Sequence, residues 1–222
     1  MTSAIAILAA VLLAASAWLV LRTYAGYLAA SDPERSIVPG LGPRGRMLVV
    51  HGSGGHTFEM MQLLHTLTVD PDACPYTRIF VVARGDAGSL AKLAQLEGSD
   101  VDIPSRIHLI PRARRVGQPL WSAPVTTAIA FAHALRIVYA EAPRLVLCNG
   151  PGTCLPLCLA AALLRMAGLV PTRILFVESI ARVHTLSLTG KLIYHLRLGE
   201  LLVQWPSLLI RYPRARHHGI LV

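Results

Sequence analysis

Met47-Leu48-Val49-Val50-His51-Gly52-Ser53-Gly54-Gly55-His56-Thr57-Phe58-Glu59-Met60 joins three local signals in one stretch. An apolar, β-branched run reads as a buried strand over 47–51, a glycine cluster reads as a tight turn, and Met60, Leu63, Leu64 and Leu67 recur at i, i+3, i+4 and i+7 as the core stripe of a helix. Glu59 falls in that helix's first turn, where the helix dipole favours an acid. Strand, glycine turn and helix in this order open an α/β unit built on a parallel sheet.

The pattern repeats outward along the chain. Strand-like runs at 79–83, 107–110, 145–148, 174–177 and 201–204 alternate with helical segments at 88–96, 124–140, 155–166 and 188–196. This predicts an α/β body, a Rossmann-like parallel sheet with helices on both faces. Ligands of such sheets bind outside the carboxyl ends of the strands, and there the sequence places its unusual loops. They are Gly52–Thr57, the stretch 111–118 with Arg112, Arg114, Arg115 and Gln118, Asn149-Gly150-Pro151-Gly152-Thr153, and Glu178-Ser179 with Arg182.

Each loop has a chemical reading beside a plain structural one. Gly52, Ser53, Gly54, Gly55 and Thr57 let backbone approach a phosphate at a helix N-terminus, or simply make a tight turn. The dinucleotide and P-loop fingerprints both fail at Thr57. His56 lies in the first helical turn, where the dipole favours the neutral ring that a general base requires; the other reading is a cap or a packed ring. The arginines suit a diphosphate or form a solvated basic loop. Gly150 and Gly152 expose backbone N–H groups, with Thr153 placed to cap the next helix. Glu178 ends an apolar strand and either binds sugar hydroxyls or pairs with Arg182. The triplets Asp70-Pro71-Asp72 and Asp100-Val101-Asp102 precede strands and fall on the opposite edge, as turn acids.

Composition sets the context. Among 222 residues, 54% are hydrophobic, and Lys and Arg outnumber Asp and Glu by 21 to 12 for a net charge of +9, so partners are anionic. The uncharged run 4–21 would reach about 27 Å as a helix, enough to span a bilayer. It lacks the basic n-region of a signal peptide, and Arg22, Arg35, Arg44 and Arg46 follow it, which places the body on the cytoplasmic side. Cys74, Cys148, Cys154 and Cys158 form no C-x-x-C pair and read as reduced thiols, and no spacing matches a metal site. The uncharged helix face over 122–135 suits either the core or the bilayer surface.

Five blocks in order carry a resemblance: Gly52 through Met60, Cys148 through Cys154, Phe176-Val177-Glu178-Ser179, Leu186-Ser187-Leu188-Thr189-Gly190-Lys191 and Val203-Gln204-Trp205-Pro206. Over about 47–222 the chain resembles the membrane-anchoring subunits of two-part UDP-N-acetylglucosamine transferases that extend N-acetylglucosaminyl-diphosphodolichol in the N-glycosylation pathway. Arg115 and Pro119 depart from that pattern, where Glu and Ser are usual. The resemblance implies the N-terminal, acceptor-side lobe of a GT-B enzyme. Its transmembrane anchor would occupy 1–22, a linker 23–45, the lobe 46–204 and a partner-docking segment 205–222. His56 would be the catalytic base. Gly52, Ser53, Gly54, Gly55, Thr57, Arg112, Arg114, Gln118, Asn149, Gly150, Gly152, Thr153, Glu178 and Ser179 would hold the acceptor and its diphosphate. Trp205, Pro206, Tyr212, Pro213, Gly219, Leu221 and Val222 would dock a soluble donor-binding subunit. The implied setting is the endoplasmic reticulum membrane, body on the cytosolic face, with an inverting reaction that needs no metal or cofactor. The competing reading is a non-catalytic scaffold that only recruits a complete soluble transferase.

Overall fold

A computed structural model describes residues 16, 18, 45–68, 76–97, 106–113, 117–150 and 152–222. The anchor expected over 1–22 (apart from Ser16 and Trp18), the linker up to Arg44, Arg114, Arg115, Cys74 and both acid triplets lie outside these residues. The chain divides into two units, Met1–Arg35 and Ser36–Val222. Ser16 and Trp18 of the first are helical and exposed, and all other described residues belong to the second.

Six strands, β1 (Gly45–Val50), β2 (Tyr76–Ala83), β3 (Ile107–Ile110), β4 (Leu145–Asn149), β5 (Arg173–Val177) and β6 (Glu200–Leu202), form one sheet in the order β3-β2-β1-β4-β5-β6. Every pairing is parallel. Between and after them lie α1 (Gly55–Thr68), α2 (Ala87–Glu97), α3 (Ala123–Glu141), α4 (Cys154–Met166), α5 (Leu188–His195) and α6 (Ser207–Arg211). The chain winds one way from β1 to β3 and the other way from β4 to β6, so right-handed crossovers put α1 and α2 on one face and α4 and α5 on the other. The strand and helix runs read from the sequence are all present. The first helix starts at Gly55, a turn before its apolar stripe, so Glu59 sits past the first turn rather than within it.

Side-chain alternation fills both faces. Met47, Val49, Phe80, Val82, Leu145 and Leu147 pack against Met60, Leu63 and Leu64 of α1 and Leu93 of α2. On the other face Cys148 meets Cys158 of α4, sulfur to sulfur at 3.7 Å. Each fully buried Leu, Met or Phe here contributes roughly 1.5–3 kcal/mol. Gly199 admits β6 to the sheet edge, because a Cβ there would lie 2.4 Å from the Ile174 carbonyl oxygen.

Helix α3 buries Ala130, Ala134, Ile137 and Val138 and packs on α4. It is the one helix among the described residues long and apolar enough to cross a membrane by length and composition, but only 22% of its apolar window is buried. Its outer side carries Val125 and Ile129, 65% and 51% exposed, and the turn before it carries Trp121, 83% exposed.

The C-terminal segment 205–222, expected to dock a partner, packs in large part onto its own lobe. It forms the short helix α6, and Arg216 bridges Leu202 in parallel at the sheet edge. Tyr212 is buried against Tyr194, Leu221 N donates to Gln204 Oε1, and Leu221 and Val222 pack onto the core. A short helix and a single bridge carry too weak a period to be read from sequence.

At the end of β1, His51 is wholly buried beside Phe80, and neither ring nitrogen has a hydrogen-bond partner among the described residues. Burial pushes its pKa down to about 4, opposed in part by the Asp86 carboxylate. The unfolded chain takes up this proton near pH 6.5 and the folded chain only near pH 4, so the associated stability is complete above about 6.5 and lost as pH falls. His51→Leu should remove up to about 3 kcal/mol of the loss in unfolding free energy between pH 7 and 4. Urea titrations of parent and variant at both pH values check this.

Candidate active site

The strand order reverses between β1 and β4, and there a doubly wound sheet opens a crevice. Val50 pairs with Cys148, so the loops that follow, 51–54 and 150–153, leave the sheet side by side. Gly54 takes φ +65° and Gly150 φ +64°, backbone that favours glycine. Ser53, Gly54 and Gly55 are exposed, and the first N–H groups of α1 have no intrahelical partner by construction. The base of the turn is tied down: Thr57 Oγ1 donates to the Gly52 carbonyl and contacts Ser89 Oγ, while Ser89 donates to Asp86 Oδ2 at 2.8 Å. Thr57 is therefore a buried brace of the turn.

His56 projects from the first turn of α1 across to the β4 loop. A Cβ on Gly150 would lie 2.3 Å from His56 Cε1, so the imidazole rests directly on that glycine. Asn149, fully buried, donates from Nδ2 to the Val177 carbonyl at 3.4 Å and turns Oδ1 to His56 Nδ1 at 3.2 Å. An amide oxygen only accepts. In the neutral ring this assigns the proton to Nδ1 and leaves the lone pair on Nε2, on a side chain that is 35% exposed. Asn149 thus positions His56 from beneath.

Glu178 is fully buried at the end of β5. Ser179 N donates to its Oε1 at 3.2 Å, and Ser187 N and Oγ donate to its Oε2 at 2.9 and 3.0 Å. Burial raises its pKa, and these three donors and the Arg182 charge partly offset the rise. Ser187 in turn caps α5 through Gly190 N, and a Cβ on Gly190 would lie 2.2 Å from Glu178 Oε2. Both carboxylate oxygens are engaged within the chain, so Glu178 shapes the loop and the start of α5.

The other loops place the remaining residues, with one correction at Thr153. Thr153 precedes α4 in a helical conformation and makes no side-chain cap. Gln118 Nε2 donates to Ser122 Oγ and Thr126 Oγ1, bracing the turn into α3. Arg112 follows β3 half-buried on the same sheet edge, two strand spacings or about 10 Å from β1. Gly152 is exposed, and Ser179 is buried. Among the described residues no three His, Cys, Asp or Glu side chains cluster as metal ligands. Sequence reading passed over Glu59 as a helix-end acid. It is buried, with Oε1 accepting from Ser179 Oγ at 2.7 Å and Oε2 3.9 Å from His56 Nδ1. Its i, i+3 spacing to His56 was the available signal.

Residues 47–221 match the family described as oligosaccharide biosynthesis protein Alg14 like. The chain is 46% identical over 179 residues to the UDP-N-acetylglucosamine transferase subunit ALG14 of Yarrowia lipolytica, covering 80% of this chain and 81% of that one. The rat protein of the same name is 37% identical over 220 residues, covering 96% and 94%, and the human one 41% over 184 residues, covering 79% and 82%. Among solved structures, MurG of Acinetobacter baumannii shares the fold with a TM-score of 0.52 at 17% identity. The match covers 80% of this chain but 45% of MurG, so the chain spans less than half of that protein's length.

Gly150→Ala combines a left-handed backbone with a collision at His56. The expected cost is about 1–3 kcal/mol in urea unfolding, accompanied by displacement of the His56 Cε1–H resonance in NMR spectra. A His56 signal unmoved in the variant contradicts the contact.

Proposed function

Because the chain belongs to the family of Alg14-like oligosaccharide biosynthesis proteins, we propose that it is the membrane-anchored, acceptor-side subunit of a split UDP-N-acetylglucosamine transferase. The acceptor is N-acetylglucosaminyl-diphosphodolichol, and the enzyme works at the endoplasmic reticulum membrane with its body on the cytosolic face. The observation that carries this reading is His56, held on Gly150 with Nδ1 on Asn149 and Nε2 left to take a proton, on a single lobe that spans 45% of MurG.

The 4-hydroxyl oxygen of the lipid-linked sugar forms a bond to the anomeric carbon of UDP-N-acetylglucosamine. The bond from that carbon to the UDP oxygen breaks, and its electron pair leaves with UDP. The hydroxyl proton passes to His56 Nε2. One displacement inverts the anomeric centre to a β-1,4 linkage, with no metal in the scheme. Ser53, Gly54 and Gly55, exposed above a buried Gly52 where α1 begins, and Arg112 attract the acceptor diphosphate through N–H groups, the helix dipole and a guanidinium. Thr57, Gln118, Asn149 and Glu178 act from below by fixing the loops.

The donor-binding subunit docks along the C-terminal segment, where the lobe leaves apolar surface uncovered: Ile210 is 90% exposed, Ile220 is 58% exposed, and Pro206 and Pro213 are exposed. Tyr212, Leu221 and Val222 support that surface from the interior. Transferase assays on the purified chain, the partner and their mixture test the split: activity in the mixture only is expected, and activity of the partner alone establishes the scaffold instead. In the mixture His56→Ala should lower turnover about 10²-fold or more, the scale of general-base loss, while co-purification with the partner persists.

The outer side of α3 with Trp121 is a second membrane contact in this reading, an apolar patch on a chain of charge +9. A body lacking residues 1–44 should still sediment with liposomes containing anionic lipid, and Trp121→Asp with Ile129→Asp should abolish it. Equal sedimentation of the two proteins removes the patch from the account.

A further inference from the structure

Glu59 is a buried acid for which neither the fold nor the proton transfer above has a use. Its side chain is 10% exposed, one turn along α1 from His56. Oε1 is occupied by the Ser179 hydroxyl at 2.7 Å, while Oε2 is buried without a hydrogen-bond partner among the described residues and lies 3.9 Å from His56 Nδ1. A helix that needed only apolar packing here would gain by a hydrocarbon, since a buried carboxylate oxygen left unpaired is unfavourable. Strand β5 supplies the restraint, because Ser179 lies two residues beyond its end and its own N–H is tied to Glu178 Oε1.

We propose that Glu59, oriented by Ser179, is a positioning residue for His56: its carboxylate faces the ring nitrogen opposite the one that takes the proton. Asn149 fixes the tautomer and, as a neutral amide, offers the positive ring formed when Nε2 is protonated a dipole but no opposing charge. The unfilled Oε2 supplies the opposing charge from a buried position, the part played by the buried acid of an acid–His–nucleophile triad. The ring and its acid come from α1, the amide from the end of β4, and the hydroxyl that orients the acid from the loop after β5. No proton moves to Glu59 in this account; the proton from the sugar hydroxyl stays on Nε2 until it leaves to solvent.

The inference rests on His56 as the base, and the test separates the two. In the complete two-subunit enzyme, Glu59→Gln should lower kcat about 10- to 100-fold with both substrate KM values within about twofold. Combined with His56→Ala it should subtract less than about twofold further, because a residue acting through His56 has nothing left to act on. Glu59→Gln turnover within twofold of the parent, a loss confined to KM, or losses that multiply with those of His56→Ala overturn the role of Glu59. Full turnover in His56→Ala alone overturns the base, and the inference with it. Should Glu59→Gln not assemble with its partner, Ser179→Ala, which frees Oε1, is judged by the same comparison: a severalfold kcat loss that disappears in the His56→Ala background supports the role, and any other result removes it.

Discussion

The parallel pairing of β1 with β4, Val50 beside Cys148, places the glycine turn before α1 against the glycine turn before α4. Everything at the crevice depends on that adjacency. Residues 56 and 149 are 93 positions apart in sequence and 3.2 Å apart at His56 Nδ1 and Asn149 Oδ1. The contact requires Gly150, because any side chain at that position would occupy the volume of the imidazole. The winding of the chain in opposite directions from this pair then leaves the crevice open at the carboxyl ends of the strands.

A buried polar layer runs beneath the crevice and sets its shape. Glu178 is satisfied by Ser179 and Ser187, Ser187 starts α5, and Gln204 Nε2 donates to the Glu178 carbonyl at 3.0 Å. Trp205 Nε1 donates to the Ile180 carbonyl at 2.7 Å, which ties the β5 loop to the C-terminal segment. Burying these groups is unfavourable unless they are paired, and pairing them in one geometry restricts the loops to one arrangement. Rigid loops at the edge of a sheet suit proton transfer, which tolerates little displacement between base and hydroxyl. The same layer links the crevice to the C-terminal segment, so the loop after β5 and the last residues of the chain share one support.

The α/β alternation was legible because strand and helix periods are local properties of side-chain spacing. The runs around Val49, Val81, Leu147 and Leu175 and the stripe of Met60, Leu63 and Leu64 appear where their patterns put them. Helix α6 was not legible: Ser207–Arg211 is too short to show a period. Nor could the roles within the loops be separated. Asn149, Glu178, Thr57 and Ser53 look alike as polar residues after strands, yet the first three are buried and engaged while Ser53 is exposed.

By itself the sequence determined the order of strands and helices, the loops that would meet at one edge and the histidine among them, since glycine spacing, apolar periodicity and residue chemistry are written locally. Tertiary structure alone decided which polar groups face the crevice and which hold it from below. It also turned Glu59 from a helix-end acid into the neighbour of His56 and folded the last residues onto the lobe. Burial and hydrogen-bond partners are set by segments distant in the chain, and no local pattern encodes them.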